Sequence, residues 1–132
     1  MKILIVDDNK IVLTTTIKSF QICAKIIAER LGIKSIPIAG ASSGAQAIRM
    51  AARRRYELIV MDVMMPNMDG YETTKRILKQ NRNSTVVAAY TCAEMSMIQD
   101  KAYAAGMATI LLKPLCSAQI LELLESIYSA MY

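Results

Sequence analysis

The stretch Leu58-Ile59-Val60-Met61-Asp62-Val63-Met64-Met65-Pro66-Asn67-Met68-Asp69-Gly70 constrains this chain more than any other. A run of apolar residues ends abruptly in one aspartate. Pro66 and Gly70 break the segment behind it, and an amphipathic segment begins at Tyr71. A short apolar run bounded by turn signals suits a strand buried on both faces of a sheet. Such a strand delivers Asp62 to its C-terminal end, and ligands of open α/β sheets sit just beyond those ends. Taken alone, an aspartate there would more often cap the next loop or helix. The rest of the chain reverses that balance.

The pattern recurs. Ile3–Val6 is a second apolar run, ending in Asp7-Asp8-Asn9. One such residue would cap a following helix; three in succession exceed that need. Lys10–Leu31 has one apolar face, with Leu13, Ile17, Phe20, Ala24, Ile27 and Leu31 spaced by three and four, and Gly32 is a natural stop. A helix of this length runs about 33 Å, whereas a strand covers about 17–20 Å. It is expected to overhang the sheet, or to break near the β-branched run Thr14-Thr15-Thr16. Ile36 to Ala41 carries Pro37 and Gly40 and belongs at a sheet edge. Gly44 to Arg55 is predicted as a helix with Ala47, Ile48, Ala51 and Ala52 inward. The Asp62 strand follows, then a helix near Tyr71 to Gln80 and a turn at Asn81 to Ser84. Val86 to Tyr90 is a strand ending at Thr91, and Glu94 to Ala105 is a helix stopped by Gly106. Thr109 to Leu112 is a strand ending at Lys113-Pro114, and Ser117 to Tyr132 is a helix with Ile120, Leu123, Leu124 and Ile127 as its stripe. Five strands alternating with five helices imply an α/β fold, a doubly wound parallel sheet with helices on both faces. Residues 1–132 read as one domain, long enough for a core and without repeats or linkers. The ten methionines, spread through core-like positions, read as packing.

In a parallel sheet the strand ends share one edge, so Asp7, Asp8, Asp62, Thr91 and Lys113 can converge. Packed carboxylates repel unless a cation joins them. All-oxygen ligands favour a hard divalent ion such as Mg²⁺, which keeps some waters and often meets a substrate phosphate. A hydroxyl and an ammonium beside them suit a transferred phosphoryl group, and the set points to a carboxylate that takes up phosphate as an acyl phosphate. Such transfer relies on positioning and charge neutralisation more than on acid–base groups. The chain has no histidine, which excludes a histidine-based triad or general base within it. Three cysteines form no CxxC pair, so neither a zinc site nor a disulfide framework is indicated, and a cytoplasmic setting fits. No apolar run reaches membrane-spanning length and no signal-peptide layout opens the chain, so no membrane insertion is expected. The net charge is +5, and because Asp7, Asp8, Asp62 and Asp69 fall at or near the site, the remaining surface is more basic still. Arg53-Arg54-Arg55, without interleaved aromatic residues, reads as a solvated helix end, so direct nucleic-acid binding is not expected.

The residues ILIVDDN (Ile3–Asn9), LIVMDVMMPNMDG (Leu58–Gly70), Thr91 and LLKP (Leu111–Pro114) resemble the receiver domains of two-component response regulators, over essentially the whole chain. The resemblance implies a flavodoxin-like sheet in the order 2-1-3-4-5, here with a long first helix. It implies that Asp62 is the phosphoacceptor and that Asp8 and Asp62 bind Mg²⁺ directly with the backbone carbonyl of Met64. Asp7 then acts through water, while Thr91 and Lys113 contact the phosphoryl oxygens. A cis Lys113-Pro114 bond aiming the ammonium at Asp62 belongs to the same expectation. The implied donor is a phosphohistidine on a histidine kinase or a histidine phosphotransfer protein. Such a domain is not an enzyme beyond its own phosphoryl uptake and autodephosphorylation. It can stand alone or be excised from a hybrid histidine kinase, and a homodimer stays open.

The chain departs from the family pattern in several places. Ile110 stands where the family usually carries Tyr or Phe three residues before the lysine. The region between Asn9 and Gly32 is longer by about eight residues than that resemblance leads one to expect, and the net charge is unusually positive. Cys92 stands beside Thr91 and is expected to be a small packing residue. Without an aromatic at Ile110, two outcomes are open. The loop after Thr91 and its helix shift alone, with Tyr90 or Tyr103 supplying the bulk; or the surface barely changes and the domain acts as a phosphate relay, the preferred expectation. The rival reading is a pseudo-receiver, a phosphate-independent protein-interaction module.

Overall fold

The computed structural model of the chain describes residues 1–80, 85–92 and 94–132. The strands are β1 (Ile3–Val6), β2 (Ile38–Ala41), β3 (Leu58–Asp62), β4 (Val86–Thr91) and β5 (Thr109–Leu112). The helices are α1 (Lys10–Leu31), α2 (Gly44–Arg53), α3 (Gly70–Gln80), α4 (Met95–Ala105) and α5 (Ser117–Met131). All strand pairs are parallel and the sheet order is β2-β1-β3-β4-β5. The fold class and strand order are those expected from the sequence. The turn expected at Asn81 to Ser84 lies outside the described residues.

Strand alternation divides the core in two. Leu4, Val6, Ile59, Met61, Val87, Ala89 and Ile110 face α2, α3 and α4, meeting Ala47, Ala51, Ile77, Ile98 and Ala102. Ile3, Ile5, Leu58, Val60, Ala88 and Tyr90 face α1 and α5, meeting Phe20, Ile27, Ile120 and Leu124. Both faces of β1 and β3 are therefore dry, which is why these strands read as unbroken apolar runs. Each of their large side chains contributes about 1.5–3 kcal/mol of transfer free energy on burial.

α1 is unbroken across Thr14-Thr15-Thr16. The Thr14 and Thr15 hydroxyls donate to the carbonyls of Lys10 and Ile11, at 2.9 Å each, so this β-branched run is accommodated within the helix. Of the two outcomes the sequence allowed for α1, the break is excluded. Asn9 caps the helix, accepting from the Ile11 and Val12 amides at 3.0 and 3.1 Å, and Gly32 ends it in the left-handed region at φ 69°. α1 is also long and apolar enough, by length and mean hydropathy, to suit a membrane span. An unbroken run misses this because Lys18 and Lys25 interrupt it. Here one face of the helix, including Phe20, Cys23, Ala24 and Ile27, is packed into the core.

Some expectations shift at element ends. β2 is an edge strand as expected, but it begins at Ile38; the Pro37 carbonyl accepts from the Ile3 amide at 3.0 Å just before it. α2 stops at Arg53, and Arg54 is already extended. Arg53, Arg54 and Arg55 are all exposed. Ala52 is exposed too, not inward, because its position falls on the outer side of the Ala47–Ala51 face.

Candidate functional site

β1 and β3 lie side by side, so the residues leaving their carboxyl ends meet. Asp7 is wholly buried. Its Oδ1 accepts from the Asn9 amide at 2.9 Å, and its Oδ2 accepts from Lys113 Nζ at 2.9 Å. Asp62 is also buried; its Oδ1 accepts from the Met64 amide at 3.2 Å and stands 3.6 Å from Lys113 Nζ. Asp8 is exposed beside them. One carboxylate oxygen from each of Asp7, Asp8 and Asp62 lies within 4.8 Å of the others.

Thr91 ends β4 almost fully buried, and its carbonyl accepts the Lys113 amide at 2.9 Å. The Lys113–Pro114 bond is cis, and the ammonium points inward at Asp7 and Asp62. Asp7, Asp8, Asp62, Met64, Thr91 and Lys113 line one open cleft, with Asn9, Val12 and Cys92. Every site residue named from the sequence is therefore at one place.

The electrostatics follow from this crowding. Burial pushes the Asp62 carboxyl up to about 6, and Asp7 and a hydrogen bond with Asp8 push the same way against Lys113 and the Met64 amide. Burial works against the Lys113 ammonium as well. Its hydrogen bond to Asp7 and the charges of Asp62 and Asp7 outweigh that and hold its pKa above the ordinary lysine value. The carboxylates carry more negative charge than one lysine offsets, which is a donor set for a further hard cation.

Three residues do more, or stand elsewhere, than the sequence leads one to expect. Asp69, expected at or near the site, caps α3: its Oδ1 accepts the Glu72 amide at 2.9 Å. Cys92 is exposed at the rim of the cleft, not packed. Tyr90 is expected at the end of β4 and, in one of two outcomes, as bulk beside a moving loop. It is buried, its ring lies under Lys113 and its hydroxyl is 3.2 Å from that of Thr16. Its place immediately before Thr91, on the same side of the sheet as Asp62, was the available signal.

A family model described as the response regulator receiver domain matches residues 3–125. This chain belongs to the receiver-domain family of response regulators. The chain is 36% identical over 117 residues to hybrid signal transduction histidine kinase G of Dictyostelium discoideum, covering 87% of itself and 3% of that protein. It is 31% identical over 90 residues to the sensor protein EvgS of Escherichia coli K12, covering 68% of itself and 7% of that protein. The chain thus spans a small fraction of these relatives' length. It is similar to the receiver domain of sensor histidine kinase PA1611 from Pseudomonas aeruginosa PAO1, at 29% identity and TM-score 0.74, with 97% of each chain covered. That structure has a magnesium ion coordinated in its active-site cleft. The receiver fold here is the flavodoxin-like one, and the domain is a receiver of two-component and phosphorelay systems.

Proposed function

We propose that this receiver takes a phosphoryl group from a phosphohistidine onto Asp62, with Mg²⁺ bound. The observation that carries the reading is the Lys113 ammonium set between Asp7 and Asp62, at 2.9 and 3.6 Å, beside an open cleft. The oxygen donors of Asp7, Asp8 and Asp62, all within 4.8 Å, fit a hard divalent ion. Asp8 and Asp62 would hold it directly with the Met64 carbonyl, and Asp7 through water. Such an ion supplies charge neutralisation between these carboxylates and an incoming phosphoryl group.

One Asp62 oxygen attacks phosphorus. A P–O bond forms as the donor's P–N bond breaks, and the electron pair leaves with the imidazole nitrogen, which takes a proton from water. The products are an acyl phosphate, a neutral imidazole and the hydroxide left by that water, which the solvent neutralises. Lys113 balances charge on the phosphoryl oxygens, and the Thr91 hydroxyl donates to one of them. No group of this chain has to act as a general base, because Asp62 attacks as the carboxylate. The domain would catalyse its own loading and slow hydrolysis and nothing else. A histidine kinase or histidine phosphotransfer protein is the partner this chemistry requires. We place the domain in the cytosol, where the unpaired thiols of Cys23, Cys92 and Cys116 suit a reducing medium.

Intact-mass measurement with acetyl phosphate and Mg²⁺ is expected to show one added phosphoryl group, lost in Asp62→Asn and without Mg²⁺. Undiminished labelling in Asp62→Asn would remove Asp62 from its role. No labelling of the wild-type chain by any donor would favour a phosphate-independent interaction module.

A further inference from the structure

Tyr90 has no part in the chemistry above, yet it is built into the site. It pairs with Asp62 across β3 and β4, and with Leu111 across β4 and β5. Paired residues of neighbouring strands share a face, as do residues two apart along one strand. Asp62, Tyr90 and Leu111 therefore project to the α1/α5 side, and Lys113 follows two residues beyond Leu111. Tyr90 is 4% exposed, and Lys113 Nζ lies 4.7 Å from its ring centroid. An ammonium within about 6 Å of a ring face is drawn to its quadrupole, more strongly where water is excluded. The Tyr90 hydroxyl is 3.2 Å from the hydroxyl of Thr16, on the buried side of α1. Thr14 and Thr15, by contrast, bond back to their own helix.

A lysine has many rotamers, and holding its ammonium in one place costs entropy. Asp7 restrains it now, but that restraint must loosen when the ammonium turns to phosphoryl oxygens. A further carboxylate in this place would add negative charge against the incoming group. A ring restrains the ammonium without adding a formal charge. We propose that Tyr90 is a positioning residue for phosphoryl uptake. Its ring face holds the Lys113 ammonium between Asp7 and Asp62, and its bond to Thr16 fixes the ring against α1. The inference rests on the roles of Asp62 and Lys113 given above.

Two measurements test it on Tyr90→Leu, Tyr90→Phe and Thr16→Val. One is the rate of Asp62 labelling by acetyl phosphate with Mg²⁺. The other is NMR of the Lys113 ε-methylene group in the unphosphorylated protein. In the wild type its protons should be shifted upfield by the ring and the group should be ordered. Tyr90→Phe keeps the shift; Tyr90→Leu abolishes it, frees the side chain and slows labelling roughly three- to thirtyfold. Tyr90→Phe and Thr16→Val should lose less rate than Tyr90→Leu, because the ring remains. An unshifted, mobile Lys113 in the wild type overturns the proposal. So does wild-type labelling by a folded Tyr90→Leu, or equal rate losses in Phe and Leu that track Tm. If the wild-type chain takes up no phosphoryl group, the Asp62 reading fails and the role of Tyr90 falls with it; uptake by the wild type with an unshifted, mobile Lys113 overturns Tyr90 alone.

Discussion

At the scale of single residues, Asp62 shows how a reactive carboxylate weighs on stability. Its value in the fold, about 6, lies above the ordinary 3.8, first because it is buried and then because Asp7 and Asp8 crowd it. Between those two pH values the unfolded chain has released a proton that the folded one keeps. Stability therefore falls as pH rises through this window, and the loss is complete above the folded value. Asp62→Asn has no proton to lose. In metal-free buffer it is expected to melt above the wild type near pH 8, with the gap closing towards about pH 4. Added Mg²⁺ should narrow or reverse that gap at the higher pH, since the cation favours the ionised site and Asn gives it a poorer ligand. Scanning calorimetry with EDTA and then with Mg²⁺ reads both effects. Equal melting of the two proteins near pH 8 in EDTA would mean that burial does not strain this carboxylate.

At the scale of elements, the loop from β3 to α3 holds Asp62 and Met64 in place. Its amide ties are Met64 to Asp62 Oδ1, Met68 to the Pro66 carbonyl, and Gly70 to the Val63 carbonyl. Asn67 sits at φ 68°, a region that Asn tolerates better than most side chains. Gly70 opens α3 so close to β3 that an added Cβ would strike the Asp62 carbonyl oxygen. Glycine to alanine in a helix ordinarily gains up to about 1 kcal/mol. Here the collision with backbone costs about 1–3 kcal/mol, so the sign reverses. Gly70→Ala should lower the urea midpoint without changing the m-value, and should slow labelling of Asp62. A variant as stable as the wild type would refute the close packing. Much of this arrangement was legible in the sequence. Apolar runs that repeatedly end in polar residues suit buried strands that open at one edge, and parallel topology then brings Asp7, Asp8, Asp62, Thr91 and Lys113 together there. What escaped were contacts between distant segments on the same face. The Tyr90 ring meets Lys113 only because β5 and the turn after it return beside β4, and its hydroxyl meets Thr16 only because α1 runs unbroken. The capping of α3 by Asp69 was not legible either, because the same residue type at the same kind of loop end serves equally for a cap or for a site.

At the scale of the molecule, the question is how far a phosphoryl group on Asp62 is felt. Ile110 lies 9% exposed in the core shared with Ala89, Ile98, Ala102 and Met107. It is already inward, and it has no ring or hydroxyl to exchange between inside and outside. Tyr90 cannot readily substitute, since it belongs to the α1/α5 side of the sheet and is tied to Thr16. Tyr103 is half exposed on α4 and is not among the residues that line the cleft. Packed cores change between discrete arrangements and do not deform continuously, so a site lacking a second arrangement transmits little. Loading is therefore expected to act on the loops after Asp62 and Thr91 and to leave α4, β5 and α5 much as they are. This is the behaviour of a phosphate relay, which needs an active site and a docking face and no remodelled surface. Amide hydrogen exchange with and without beryllofluoride, which mimics the phosphoryl group, measures it directly. Protection confined to those loops fits the relay. Broad changes across α4, β5 and α5 would establish a conformational switch that works without the aromatic side chain at position 110.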